Sequence, residues 1–138
     1  MLIGLLFWTL TLIGCGYAAA AGGKDGRCAV ILLLLASVLT IPAARLGHAW
    51  ARTEIGVMSV DVLLLLGLYA LMLRSQRYFP IWMVGFQLAS VVTHLSTVLA
   101  PDFAPRVYRG LESVWALPIT ISLVVGIYLD RRKSEAFT

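Results

Sequence analysis

Three titratable side chains lie where an apolar chain has least room for them. Asp61, His94 and Glu112 each fall inside or at the edge of a long apolar stretch, Asp61 within GVMSVDVLLLLGLYALML. An isolated charge near the middle of a bilayer costs about 3 kcal/mol or more, so such groups turn inward and find partners. A carboxylate–histidine cluster has three uses. It is a polar clasp between helices, a site that exchanges protons or holds a cation, or a set of metal ligands. The metal option lacks a spaced ligand motif such as HExxH, so no metal site is expected. No Ser-His-Asp arrangement and no Gly-rich phosphate loop is present, and no nucleophile is poised beside a base.

Cofactor chemistry is similarly limited. The chain has two histidines, His48 and His94. Both fall toward the same face of the predicted bundle, so haem held by this pair is the one cofactor alternative. His48 sits in a loop beside Gly47 rather than within a span, and no cofactor is expected. Cys15 and Cys28 form neither a CxxC nor a zinc spacing and read as two small buried thiols.

The elements that must position these groups follow from composition. Of 138 residues, 60% are hydrophobic and 13% charged, with a mean hydropathy of +0.90. A soluble domain is about half apolar and about a quarter charged, and a chain this short leaves much of its surface exposed. The surface itself must be apolar, and lipid is its natural solvent. The net charge of +4 comes from short basic clusters between apolar runs, a pattern of membrane flanks. It forms no basic-aromatic stripe, so no nucleic-acid partner is expected. Arginine outnumbers lysine and asparagine is absent, which suits a GC-rich bacterial genome and excludes N-glycosylation.

Five apolar segments, at about 2–21, 28–44, 55–73, 81–100 and 107–129, approach the roughly 20 residues that cross a bilayer, with a polar tail at 130–138. In lipid every backbone group must be satisfied internally, so the segments are helices, and no alternating barrel pattern competes. The expected fold is all-α: a single polytopic membrane bundle of five transmembrane helices in up-down order. The LIGC at 12–15 resembles a lipoprotein cleavage box. The start of the chain has no positive n-region, however, and the apolar run continues past Cys15, so a retained first helix is expected. The richer basic face holds Lys24, Arg27, Arg74, Arg77 and Arg131 to Lys133; the other holds Arg45, Arg52, Arg106 and Arg109. The positive-inside rule puts the N-terminus outside and the C-terminus in the cytoplasm of a bacterial cell, in its inner membrane.

Connectivity then sets depth. Asp61 lies about two turns into the third helix, His94 about two turns before the end of the fourth, and Glu112 just over one turn into the fifth. All three therefore occupy one layer near the outer face. At about 100° per residue, Gln87, Ser90, His94 and Thr97 form one stripe of the fourth helix. Tyr108, Glu112, Trp115 and Ser122 share a face of the fifth. The expected site is a polar cluster of Asp61, Gln87, Ser90, His94 and Glu112, capped by Arg106 and Arg109; Arg109 is at pairing distance from Glu112. Pro118 is expected to kink the fifth helix and free the carbonyl near Val114.

Three functions fit. The first is a non-enzymatic accessory or assembly subunit of a membrane complex, working with a membrane-protein partner or as a homo-oligomer. The second is a small carrier or channel component that uses Asp61, His94 and Glu112 for protons or cations. The third is a membrane enzyme that acts on a lipid-like substrate with the same residues as acid and base.

Overall fold

The computed structural model describes residues 2–47, 53–99 and 114–136. Their regular structure is all helical: α1 (Leu2–Ala21), α2 (Gly23–Gly47), α3 (Thr53–Arg74), α4 (Phe79–Leu99) and α5 (Ala116–Ala136). Leucine-rich runs make good helices, and α2, α3 and α4 are each long and apolar enough to cross a membrane. α1 adds a shorter apolar helix from Trp8 to Ala21. Large apolar side chains point outward, among them Ile13, Ile31, Leu63 and Leu73. The fully enclosed positions belong to Ala18, Ala29, Leu68, Met83, Leu123 and Ile127.

Each helix packs against two principal neighbours. α1 touches α2 and α5, α2 touches α3, α3 touches α4, and α4 touches α5. The helices thus close a ring around a common interior.

Two boundaries differ from the sequence reading. GGKDGR, residues 22–27, falls between the first two expected segments, yet α2 begins at Gly23 and takes in Lys24, Asp25 and Arg27. Gly22 and Gly23 suffice for the reversal. Gly23 adopts a φ of 62°, a left-handed conformation that glycine takes without steric cost. Gly22 then accepts the first bond of α2, from the Gly26 N–H at 3.0 Å, and Asp25 lies in the first turn, where a negative charge suits the helix dipole. At the other end of the chain, the tail is helical through Ala136. Cys15 is buried as expected, but Cys28, on α2, is exposed. Trp115 sits in a turn between helical Val114 and the start of α5. The break falls where Pro118 withholds its N–H from the Val114 carbonyl.

One end of the ring is stitched together by polar contacts. Ser75 Oγ donates to Asp25 Oδ2 at 2.7 Å and accepts from the Arg77 N–H at 3.2 Å. Arg77 Nη1 donates to the Gly22 carbonyl at 3.0 Å, and its Nε lies 4.0 Å from Asp130 Oδ2. The α1–α2 joint, the α3–α4 turn and the end of the apolar part of α5 therefore meet in one place. Lys133 lies over the Tyr78 ring there, 5.5 Å from its centroid.

Candidate functional site

α4 carries its buried residues on a single seam. Phe79, Pro80 and Met83 fill the half near the polar stitch, and Gln87, Ser90, His94 and Thr97 continue it. The steps of four, three, four and three from Met83 keep all five on one face. The seam thus changes from apolar to polar halfway along, and the polar half faces Asp61 of α3.

Three α4 side chains converge on that one carboxylate. Gln87 Nε2 donates to Asp61 Oδ1 at 3.2 Å and to the Asp61 backbone carbonyl at 3.1 Å. Ser90 Oγ donates to Oδ2 at 3.3 Å, and His94 Nε2 lies 2.8 Å from the same oxygen. The His94 side chain is 4% exposed and that of Asp61 19%. The imidazole is enclosed, while part of the carboxylate still faces open space. Away from water each of these bonds is electrostatically stronger than on a surface, and each would be expensive to leave unmade.

The open space is a half-open cavity of about 460 Å³ between the helices, within the size range of small-molecule sites. All five helices line it. Trp8 and Thr11 come from α1, Ser37 and Thr40 from α2, and Val57, Asp61 and Leu64 from α3; Gln87, Ser90 and His94 come from α4, and Ile119 and Thr120 from α5. Three of the hydroxyls bond back along their own helices: Ser37 to the Leu33 carbonyl, Thr40 to that of Ala36 and Thr120 to that of Ala116. Thr11 does not. It is 7% exposed, and its Oγ1 has no hydrogen-bond partner among the described residues.

Of the residues singled out from sequence, the structure brings Asp61, Gln87, Ser90 and His94 into direct contact. Glu112, Arg106, Arg109 and His48 lie outside the described residues, and so does the haem alternative that needs His48. Trp115 turns toward α4, where its indole Nε1 donates to Thr93 Oγ1 at 2.9 Å and its ring lies 6.5 Å from that of Phe86. Among the described residues no three His, Cys, Asp or Glu side chains gather as a metal would require. Sequence reasoning missed Thr11, Ser37, Thr40 and Thr120. No signal in the sequence separates them from other hydroxyls in apolar helices.

A second concavity lies on the outer surface of α4, between Ile81, Trp82, Gly85, Phe86, Ala89 and Trp115. It is almost wholly apolar.

Comparison of the chain with protein-family models, with curated proteins and with solved structures gives no match.

Proposed function

We propose that this chain is a multi-pass protein of a bacterial inner membrane and that its half-open cavity is the ligand site of a small cation-linked carrier component. In this reading five helices span the bilayer in up-down order, with the N-terminus outside and the C-terminus cytoplasmic. The short α1–α2 and α3–α4 connections support antiparallel neighbours. Lys24, Arg27, Arg74 and the Arg131–Lys133 run lie on elements joined at the Arg77 stitch, and an excess of basic residues favours the cytoplasm.

One observation carries the functional reading: a carboxylate–imidazole pair on the wall of a cavity that every helix helps to line. A clasp that only fixed helix register would need the pair but not the space. The space is half open and has a polar wall on one side, which gives a small guest both access and something to bind. Asp61 supplies the charge that attracts a cation. His94 supplies a partner for the carboxylate when the cation is gone, so that no lone charge faces hydrocarbon.

Reconstitution tests this. Vesicles carrying the protein and an entrapped pH indicator should pass protons in response to a cation gradient, and Asp61→Asn should abolish the response while circular dichroism and detergent-phase size remain unchanged. Vesicles as tight as protein-free ones, or an Asp61→Asn variant as active as the parent, would overturn the proposal.

The outer groove on α4 supports a second reading, an accessory subunit that docks a membrane-protein partner there. Trp82 is 64% exposed on that face, and aromatic residues are favoured interface anchors. A stoichiometric partner retained in mild detergent, and lost in Trp82→Ala, would favour this reading over the first.

A further inference from the structure

Resting on the reading of the cavity as a ligand site, we infer that its ligand class is a protonated organic amine: an ammonium with N–H donors on an apolar body. The inference comes from counting donors and acceptors around the wall. The hydrogens of Ser37, Thr40 and Thr120 are already committed to carbonyls four residues back. A hydroxyl used in this way can offer only its lone pairs to anything in the cavity. Gln87 is similar: its amide nitrogen is engaged by Asp61, which leaves the carbonyl oxygen, an acceptor. Ser90 has spent its hydrogen on Asp61 Oδ2. Asp61 is an acceptor when ionised, and two of its three side-chain contacts fall on Oδ2. Oδ1 therefore keeps the greater spare capacity. Apart from Thr11, the Trp8 indole N–H and His94, the polar groups of the wall present acceptors, so the wall favours a guest that donates.

Charge gives the same answer. Among the described residues that line the cavity, Asp61 and His94 are the titratable groups, and no Lys or Arg accompanies them. α1, α2 and α5 contribute hydroxyls, apolar groups and the Trp8 indole, none of them charged. Among the described residues an anionic guest would meet the Asp61 carboxylate with no Lys or Arg on the wall to oppose it, a repulsion that grows as the dielectric falls. A bare metal ion needs a compact shell of six or more oxygens or a set of His and Cys ligands. This wall instead spreads its oxygens around a space that also includes Leu33, Ile41, Val57 and Leu64. Those side chains call for a hydrocarbon or aromatic body, and Trp8 adds an aromatic side chain to the wall. Thr11 is the independent sign of a missing guest. Its hydroxyl is buried, lines the same cavity and has no partner among the described residues. A buried polar group is kept without a bond only at a cost, which a donor on the ligand would remove.

The test is equilibrium binding to the full chain in detergent micelles or lipid discs at neutral pH. Benzylamine is the probe. Its comparators are benzyltrimethylammonium (charged, without donors), benzyl alcohol (uncharged) and benzoate (anionic). Hydrogen bonds to charged groups are worth roughly 1.5–3 kcal/mol, so benzylamine should bind about tenfold or more tighter than any comparator. Asp61→Asn should weaken it by about tenfold or more, and the near-isosteric Thr11→Val by about threefold, because one neutral hydrogen bond is lost. Thr11→Val preserves the shape of α1 and keeps the test decisive should Asp61→Asn fold poorly. The amine class is overturned if the quaternary compound or the alcohol binds as well as benzylamine, or if both variants bind it like the parent. Benzoate or the alcohol binding best, with loss in Asp61→Asn, overturns the amine class and leaves the cavity as a ligand site. No probe binding, together with vesicles that pass no protons, overturns both.

Discussion

The two ends of the ring handle carboxylates in opposite ways. At one end Asp25 and Asp130 belong to a stitch around Arg77, where the side chains of Arg77 and Asp130 are 34% and 23% exposed. The packing beneath is tight: Phe79, Met83 and Ile127 are fully buried, and small residues let the backbones approach. In the other half Asp61 is held by three neutral or imidazole donors in a drier setting, and the helices stand apart around a cavity. Water screens the first set of charges, so the stitch adds little energy and relies on close packing. Screening is weaker in the second, and the polar bonds there carry more of the load. The contrast is that of a closed, rigid base supporting an open, polar chamber.

The largest expected effect breaks the base. A Cβ on Gly126 would fall onto Phe79 Cβ, with the Phe79 Cα at 3.1 Å, so backbone must move as well as side chain. Gly126→Ala should destabilise the bundle by about 3 kcal/mol, the upper end for overpacking in a dense core. Unfolding in mixed micelles measures it. An alanine tolerated without loss would mean that α4 and α5 do not meet as closely as described.

A somewhat smaller effect is expected in the chamber. Asp61→Leu removes the acceptor that Gln87, Ser90 and His94 share and leaves their donors in an apolar interior. The cost should be about 2 kcal/mol, since a buried unsatisfied group loses roughly 1–3 kcal/mol. Asp61→Asn keeps an acceptor and should lose less. If the two variants unfold alike, the shared carboxylate is not what holds α3 to α4.

Thr11→Val sharpens the comparison because its sign is reversed. The hydroxyl makes no bond among the described residues, so replacing it with a methyl should raise stability by about 0.5–1 kcal/mol while weakening ligand binding. A residue whose removal stabilises the fold and harms binding marks a functional position. A loss of stability would show that Thr11 is already satisfied.

Much of the chamber was legible in the sequence because α4 announces its own inner face. Four polar residues at steps of three and four in an apolar helix leave one orientation for the polar side, and connectivity brings Asp61 to the same depth. α1 and α2 give no such signal. Lipid and protein interior are equally apolar, so Leu, Ile and Ala around the whole helix do not say which face turns inward. Ser37 and Thr40 bond to their own backbones, as hydroxyls in apolar helices commonly do. For this reason neither residue type nor spacing separates Thr11, which lacks such a bond, from its neighbours. At the base, the glycines and charges of GGKDGR interrupt the apolar pattern and put the second expected segment's start at 28. A single left-handed glycine was enough for the reversal, and the helix dipole at the new start accommodates Asp25.

The smallest effect concerns the stitch itself. Arg77→Gln removes the charge facing Asp130 at 4.0 Å and can retain a donor toward the Gly22 carbonyl. Partly exposed pairs contribute about 0.2–1 kcal/mol, so the expected loss is about 0.5 kcal/mol. Added salt should reduce even that difference, because the pair lies within reach of solvent ions and the Debye length shrinks to about 3 Å at 1 M. The Asp61 variants should keep their deficit in the same salt, because what they lose are short side-chain bonds to Gln87, Ser90 and His94 rather than a screened surface pair. Measuring both series at low and high salt therefore tests the division between base and chamber directly. A salt-insensitive Arg77→Gln would place the stitch in a dry environment and make the two ends alike; a salt-sensitive Asp61→Leu would place the chamber in free contact with bulk water.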